Sequence, residues 1–128
     1  MKEIAVRTTS RTQLVNITAH VASALRELES PATLCHVSVP HTTAAVVINE
    51  AADPDVARDL AAAYQAMVPK IPFAHAEGNS DSHLLATLLG SSVMVPIEAG
   101  RLRLGTWQGI FLVELDGPRS RRVWVSVV

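Results

Sequence analysis

The sequence predicts a single domain in which helices and strands are mixed and the last third is mostly strand. The length of 128 residues is that of one domain, spanning residues 1–128. Apolar residues make up 48% of the chain, which is enough for a core, and they recur at helical spacing in three stretches. Between these stretches lie short apolar runs rich in valine, as expected for strands.

Start and stop signals bound the first elements. Residues 2–8 and 13–17 are predicted strands. Thr18 is expected to cap a helix over residues 19–29, which Pro31 ends. The apolar stripe of this helix consists of Ile17, Val21, Ala24, Leu25 and Leu28.

Two further strands, residues 34–39 and 44–48, precede a second helix. Asp53 followed by Pro54 is a strong helix start, because aspartate caps free backbone N–H groups and proline fits the first helical position. Pro69 ends this helix. Its apolar stripe consists of Val56, Leu60, Ala63, Tyr64 and Met67.

A short third helix and four strands complete the chain. Asn79 or Ser80 is predicted to cap the helix, which ends at Gly90. Its core-facing residues are expected to be Leu84, Leu85, Leu88 and Leu89. The strands are predicted at residues 93–97, 102–104, 107–115 and 122–128, with a turn at residues 116–118. Strand 107–115 is apolar on both faces, and three modest helices are too few to cover every strand of this kind. We therefore expect other subunits to cover part of it.

Composition excludes several classes of partner and site. The net charge of −1 leaves no excess positive charge for nucleic acid or an anionic membrane, and Arg119, Arg121 and Arg122 are interpreted as a solvated hairpin end. Cys35 is the only cysteine, which excludes an internal disulfide and a cysteine-rich metal site. No segment is suited to spanning a bilayer and no signal region is evident, so we expect a cytoplasmic protein.

The segment HAEGNSDSH concentrates polar side chains suited to metal binding or catalysis. His75, Glu77, Asn79, Asp81 and His83 lie at alternate positions with small residues between them. Imidazole and carboxylate groups are common metal ligands and common acids and bases. A plain solvated loop is the alternative interpretation.

Two of these residues fall in the first turn of the third helix. His83 is offset from the leucine face, beside Ala86 and Thr87, and is therefore free to point into a site. Asp81 either serves that site or only stabilises the helix dipole. The free amides of the same turn are suited to an anion such as phosphate.

A second polar group follows the strand break at Pro40. His41 comes directly after it, Thr42 and Thr43 supply hydroxyls, and Glu50 follows the next strand. A lone histidine at a strand break is as often a hydrogen-bonded structural residue as a ligand.

The third group lies in LGTWQGI, residues 104–110. Gly105 and Gly109 in a strand indicate a bulge or close approach by a ligand or another backbone. Trp107 is expected either to pack in the core or to contact a ligand. The amide of Gln108 offers both a donor and an acceptor.

Known signatures that share parts of these segments are incomplete. His75-Ala76-Glu77 matches half of the zinc deaminase pattern, whose other half needs two cysteines. The sequence contains no H-E-x-x-H helix, Walker loop or EF-hand spacing. His20 and His36 lack comparable polar neighbours and are interpreted as structural.

Together these segments resemble the YjbQ family, also called the secondary thiamine-phosphate synthase family. The matching motifs are PHTTAAVVINE with ADPDVARDL, HAEGNSDSHLLATLLGSS, and VPIEAGRLRLGTWQGIFLVELDGPRSRRV, in the family's order from about residue 37 to the end. The opening strands and the NIT before the first helix also fit. Ser82 departs from the alanine usual in the family, and the segment around Tyr64 is divergent.

The resemblance implies an α+β domain with strongly curved, mostly antiparallel sheets and about three helices, assembling as a homotrimer. It implies an enzyme acting on phosphorylated small molecules, with secondary thiamine-phosphate synthase activity. That reaction joins hydroxymethylpyrimidine diphosphate to a thiazole phosphate and releases diphosphate. A divalent metal site is also implied, and the matching histidines are His41, His75 and His83.

Three roles are expected for the candidate residues. Zinc suits the three imidazoles, with magnesium or manganese as alternatives for diphosphate chemistry. The expected catalytic residues are Glu77, Asp81 and His41. The expected ligand-binding residues are Thr42, Thr43, Asn79, Ser91, Ser92, Trp107 and Gln108.

Two alternatives to the synthase remain open at this point. One is a metal-dependent hydrolase in which Glu77 acts as base toward a metal-bound water. The other is a trimeric metal- or ligand-binding protein without catalytic activity. Turnover of phosphorylated compounds separates the enzymes from the binding protein.

Overall fold

Two antiparallel sheets form the body of the α+β fold, which a computed structural model describes for residues 1–28 and 31–128. The elements in chain order are β1 (Lys2–Arg7), β2 (Gln13–Asn16), α1 (Thr18–Glu27), β3 (Leu34–Ser38), β4 (Ala44–Glu50), α2 (Pro54–Ala66), α3 (Ser80–Leu89), β5 (Ser92–Glu98), β6 (Arg101–Leu102), β7 (Gln108–Glu114) and β8 (Ser120–Val127). One sheet has the order β1-β8-β3-β5-β6 and the other β2-β7-β4.

The main core lies between the two sheets and is closed by α1. From the three-stranded sheet, β7 contributes Ile110 and Leu112, both fully buried. They pack with valines of the five-stranded sheet and with Val21 of α1. The alternation of β7 is the physical reason, since successive side chains point to opposite faces of a sheet.

A second, smaller core covers the outer face of the three-stranded sheet. Val113 and Leu115 are fully buried there, against Leu85 of α3 and Tyr64 of α2. The expectation that other subunits are needed to cover strand 107–115 is therefore wrong. This sheet has only three strands, so two helices of the same chain are enough to cover it.

The helix signals are largely confirmed. Asp53 caps α2 by accepting a hydrogen bond from the backbone N–H of Asp55 at 2.9 Å. α3 ends at Gly90, whose φ of 93° suits glycine. Leu88 is 65% exposed, so its predicted place in the core is wrong.

No helix in the described ranges is long and apolar enough to cross a membrane.

The start of α1 differs from the prediction. Thr18 is the first helical residue and not the cap. The side chain of Asn16 accepts hydrogen bonds from the Thr18 backbone N–H at 3.0 Å and from its hydroxyl at 2.7 Å. The predicted end of this helix at residue 29 lies outside the described residues.

Gly109 marks a close approach between β7 and its neighbours, as the sequence predicts. A Cβ atom at this position would lie 2.6 Å from the Cβ of Ala51 and 3.1 Å from the hydroxyl of Thr18. That hydroxyl also accepts a hydrogen bond from the backbone N–H of Ile110 at 2.9 Å. Only glycine leaves room for the start of α1 to dock here.

Candidate functional site

A cavity of about 390 Å³ lies between α3 and the segment that precedes β4. We call it the histidine cavity. Two imidazoles from distant parts of the sequence share it. Its lining residues are His41, Thr42, Ala44, His83, Ala86, Thr87, Gly90 and Ser91.

One face of α3 forms a wall of the histidine cavity. His83, Ala86, Thr87 and Gly90 follow one another at helical spacing on this face. Leu85 faces the second core instead and is only 2% exposed. His83, which the sequence shows to be offset from the leucine face, therefore lines a cavity.

The position of His41 follows from the strand break at Pro40. β3 pairs with β8 up to Ser38 opposite Trp124, and two more residues of this register would bring Pro40 opposite Arg122. The strand ends before that point. The imidazole Nε2 of His41 instead accepts the hydrogen bond from the Arg122 backbone N–H at 2.9 Å.

This hydrogen bond determines which nitrogen of His41 carries the proton. A neutral imidazole has one donor and one acceptor nitrogen, so acceptance at Nε2 requires the proton on Nδ1. Burial lowers the pKa of His41, and the positive charges of Arg121 and Arg122 lower it further. His41 therefore enters the histidine cavity as a neutral ring with an N–H donor.

A buried ion pair lies behind His41, and the sequence interpretation missed it. Arg121 is 3% exposed and Glu114 is fully buried. Arg121 donates from Nη2 to Oε1 of Glu114 at 2.5 Å and from Nε to Oε2 at 2.9 Å. The expectation that Arg121 belongs to a solvated hairpin end is therefore wrong. Glu114 inside an otherwise apolar strand was the signal, because a buried carboxylate requires partners.

The carboxylate of Glu114 has further donors. It accepts hydrogen bonds from the Thr8 hydroxyl at 2.7 Å and from the backbone N–H groups of Leu115 and Asp116, each at 3.0 Å. Burial raises the pKa of Glu114, but hydrogen bonds from Arg121, Asp116 and Thr8 outweigh this effect and hold the pKa below its usual value. Glu114 is therefore ionised at neutral pH.

His75 reaches the site through His83. The centroids of the two rings lie 5.5 Å apart with an angle of 71° between the planes, which is an edge-to-face contact. Glu77 lies in the exposed turn that follows His75 and does not line the histidine cavity.

Asp81 and Asn79 are engaged away from the histidine cavity. Asp81 forms a salt bridge with Arg11 at 3.1 Å, and the side-chain amide of Asn79 donates to Asp116 at 2.9 Å. Arg11 and Arg119 both pair with Asp116 as well. These contacts tie the start of α3 to the turn before β8, and neither Asp81 nor Asn79 lines the histidine cavity.

The hydroxyl groups expected to bind a ligand fall into two sets. Thr42 and Ser91 line the histidine cavity. Thr43 is 6% exposed, and its hydroxyl accepts a hydrogen bond from Arg121 at 2.9 Å. Ser92 pairs with Ser38 between β5 and β3 and is not among the cavity residues.

Trp107 and Gln108 lie at the opposite end of the three-stranded sheet from His41. Glu50 pairs with Gln108 at one end of β4, and Ala44 pairs with Glu114 at the other. At a rise of about 3.4 Å per residue, the two ends are about 20 Å apart. One small ligand in a single protomer therefore cannot contact both His41 and Gln108.

Trp107 is 63% exposed, so the interpretation that it packs in the core is wrong. It precedes the first residue of β7, and its carbonyl accepts a hydrogen bond from the Ala51 N–H at 2.8 Å. Oε2 of Glu50 is buried and has no hydrogen-bond partner among residues 1–28 and 31–128. This end of the sheet therefore presents an exposed aromatic ring.

Comparison with known proteins identifies the family. The family model described as "UPF0047 protein YjbQ-like" matches residues 2–128. The chain belongs to this family. A UPF0047 protein of Methanocaldococcus jannaschii is 43% identical over 96% of this chain and 90% of its own length, and YugU of Bacillus subtilis is 38% identical over 100% and 98%.

Solved structures of the family share the fold. A YjbQ/UPF0047 family protein of Clostridium acetobutylicum has a TM-score of 0.94 at 43% identity, covering 100% of both chains. A YbjQ-like protein of Sulfolobus solfataricus has a TM-score of 0.91 at 35% identity, covering 98% of this chain and 94% of that one.

The three-imidazole metal site implied by the resemblance does not fit a single protomer in this arrangement. An imidazole that binds a metal normally donates its other N–H to an acceptor, whereas Nε2 of His41 accepts a hydrogen bond. Metal binding through Nδ1 would then require loss of the remaining ring proton. Among the described residues, no three histidine, cysteine, aspartate or glutamate side chains are grouped to hold a metal.

Proposed function

We propose that this chain is an enzyme that binds a phosphorylated small molecule in the histidine cavity, with thiamine-phosphate synthase activity. The observation that carries the proposal is the convergence of His41, His83, Thr42 and Ser91 on one cavity. Imidazole N–H and hydroxyl groups are donors suited to phosphate oxygens. Within the described part of the chain, no carboxylate lines this cavity to repel an anion.

The electrostatic surroundings of His41 support an anionic ligand. Burial, Arg121 and Arg122 together lower the pKa of His41. Glu114 opposes this effect and is ion-paired with Arg121, so the attraction for a phosphate group rests on the exposed charge of Arg122. His41 itself remains neutral and donates a hydrogen bond, so the ligand does not depend on protonation of the ring.

The synthase reaction would use this cavity to bind the leaving group. The bond between the pyrimidine methylene carbon and the diphosphate oxygen breaks as the thiazole nitrogen bonds to that carbon, and diphosphate leaves with the negative charge. Donors already in place around that charge stabilise the transition state. We assign this role to His41, Thr42 and Ser91, with His83 on the facing wall.

The experiment is a synthase assay on purified protein and its histidine variants. Hydroxymethylpyrimidine diphosphate and thiazole phosphate are supplied, and thiamine phosphate is measured. We expect formation by the wild type, a large loss in His41→Ala and His83→Ala, and wild-type rates in His36→Ala, whose ring lies on β3 outside the cavity. Absence of turnover together with tight phosphate binding would support the non-enzymatic alternative.

A metal-dependent hydrolase is the second candidate, and the contact between His75 and His83 favours it. Two imidazoles at this separation supply a partial ligand set for a divalent metal, zinc by preference, which the ligand or another protomer would have to complete. Elemental analysis of metal-replete preparations tests it. Retention of bound metal in His75→Ala and His83→Ala at the wild-type level rejects this candidate.

We also propose that the chain forms a homotrimer, as the resemblance implies. Met67 and Leu88 are more than 60% exposed, and large exposed apolar side chains favour association. Sedimentation equilibrium should give three times the chain mass, and a monomer at micromolar concentration would contradict the proposal.

A further inference from the structure

We infer that Arg121 is a positioning residue for the histidine cavity, acting through Thr43 and through the hydrogen bond between His41 and Arg122. The inference rests on the proposed function, because it concerns how the same cavity is held in shape. Arg121 itself is buried and does not line the cavity.

The guanidinium of Arg121 is held rigidly by Glu114. Two of its nitrogens donate to the two carboxylate oxygens, at 2.5 and 2.9 Å. Such a two-point contact fixes both the distance and the plane of the guanidinium. Glu114 lies at the end of β7, which is buried from Gly109 onward, so the carboxylate that holds the guanidinium is itself fixed in place.

The same guanidinium reaches the segment that carries His41. Nη2 of Arg121 donates to the Thr43 carbonyl at 2.9 Å and to the Thr43 hydroxyl at 2.9 Å. The Thr43 carbonyl also accepts a hydrogen bond from the Leu115 N–H at 3.2 Å. Thr43 lies directly between the cavity residues Thr42 and Ala44, so these contacts anchor the cavity wall to β7 and β8.

Neighbouring residues of β8 hold this wall at two points. The side chain of Arg121 points inward to Thr43, whereas Arg122 is exposed and its backbone N–H binds the ring of His41. Strand alternation produces this division. The ring and its segment are thereby tied to the same short stretch of one strand.

Loss of the two-point contact between Arg121 and Glu114 would free both the His41 ring and the segment that carries it. With Thr43 free to move, the hydrogen bond from Arg122 to His41 is no longer enforced, and the imidazole can exchange its proton between Nδ1 and Nε2. The donor of the histidine cavity then loses its fixed orientation. A purely structural role for Arg121 would lower stability without changing the tautomer of His41 in the folded protein.

The test compares Arg121→Lys with the matched control Arg7→Lys, which makes the same change at a guanidinium that contacts Ser120 in an exposed setting. Lysine keeps the positive charge but cannot make the two-point contact with the Glu114 carboxylate. The tautomer of His41 is measured by long-range ¹H–¹⁵N spectra at neutral pH, and the affinity for inorganic diphosphate by calorimetry. We expect tautomer exchange and about tenfold weaker binding in Arg121→Lys, as for loss of one hydrogen bond to a charged ligand. The control should match the wild type.

The two measurements separate the positioning role from the proposed function. Tautomer exchange in Arg121→Lys supports the positioning role even if the wild type fails to bind diphosphate, a result that would count against the proposed function alone. A folded Arg121→Lys with the Nδ1–H tautomer and wild-type affinity overturns the inference. If Arg121→Lys does not fold, Glu114→Gln replaces one carboxylate acceptor by an amide NH₂ and so breaks the two-point contact with Arg121, and an unchanged His41 tautomer in that variant overturns the inference equally.

Discussion

The imidazole Nε2 of His41 accepts a hydrogen bond from the backbone N–H of Arg122 at 2.9 Å. The bond takes the place of a strand pairing that ends before Pro40. It leaves Nδ1–H as the only polar group of the ring that is free to meet a ligand. A local break in a strand therefore produces an oriented donor at the edge of a cavity.

Replacement of Trp107 by alanine should have little effect on stability. The side chain is 63% exposed, so we expect a loss of less than about 1 kcal/mol in urea unfolding. Phe111→Ala is the matched control, because Phe111 is 4% exposed and a buried aromatic costs about 3–5 kcal/mol. Similar losses in the two variants would show that Trp107 is covered in the folded protein, for example by another subunit.

Gly109→Ala should destabilise the fold by about 1–3 kcal/mol, the usual cost of overpacking. The new methyl group would lie 2.6 Å from the Cβ of Ala51, which has no flexible end that can move aside. Gly105→Ala serves as control, because its nearest neighbour is the Gln108 side chain at 3.3 Å. Equal stability of the two variants in thermal unfolding would refute the close approach of Ala51 and Thr18 to β7.

Much of the fold could be predicted from local signals in the sequence. Asp53-Pro54 and Gly90 mark helix ends because capping and left-handed backbone depend on neighbouring residues only. The pattern of residues 107–115 predicts a strand that is apolar on both faces, and β7 contributes to both cores. The offset of His83 from its helix stripe indicated a cavity wall.

What sequence could not supply was the pairing of distant polar groups. In the sequence, Arg121 follows a turn and has the features of a solvated residue. In the structure it is paired with Glu114, which lies on the other side of that turn. Asp81 and Asn79 belong to a polar segment, but Arg11 and Asp116 engage them from distant positions in the sequence. The distance between Trp107 and His41 depends on strand register, which no single motif encodes.

The stability of the protein should depend on pH through Glu114. Hydrogen bonds outweigh the effect of burial and hold the pKa of Glu114 below its value in the unfolded chain, so folding favours the ionised form. This contribution is complete above the ordinary glutamate pKa of about 4.3 and is lost as the pH falls through the lower pKa of the folded state.

Glu114→Gln should therefore be less stable at neutral pH, by about 3–5 kcal/mol for a broken buried pair, and should lose less stability on acidification. Glu98→Gln is the control, since Glu98 pairs with Arg103 at an exposed position. Urea unfolding at a series of pH values measures both effects. Identical pH profiles for Glu114→Gln and the wild type would contradict the assignment.

The central claim is that the histidine cavity binds a phosphate group through His41 and His83. Isothermal titration of inorganic diphosphate into the purified protein, without added metal, tests it most directly. We expect saturable binding to the wild type and to His36→Ala, with about tenfold weaker binding to His41→Ala and to His83→Ala. Absence of binding to the wild type, or equal affinity in all four proteins, would contradict the claim.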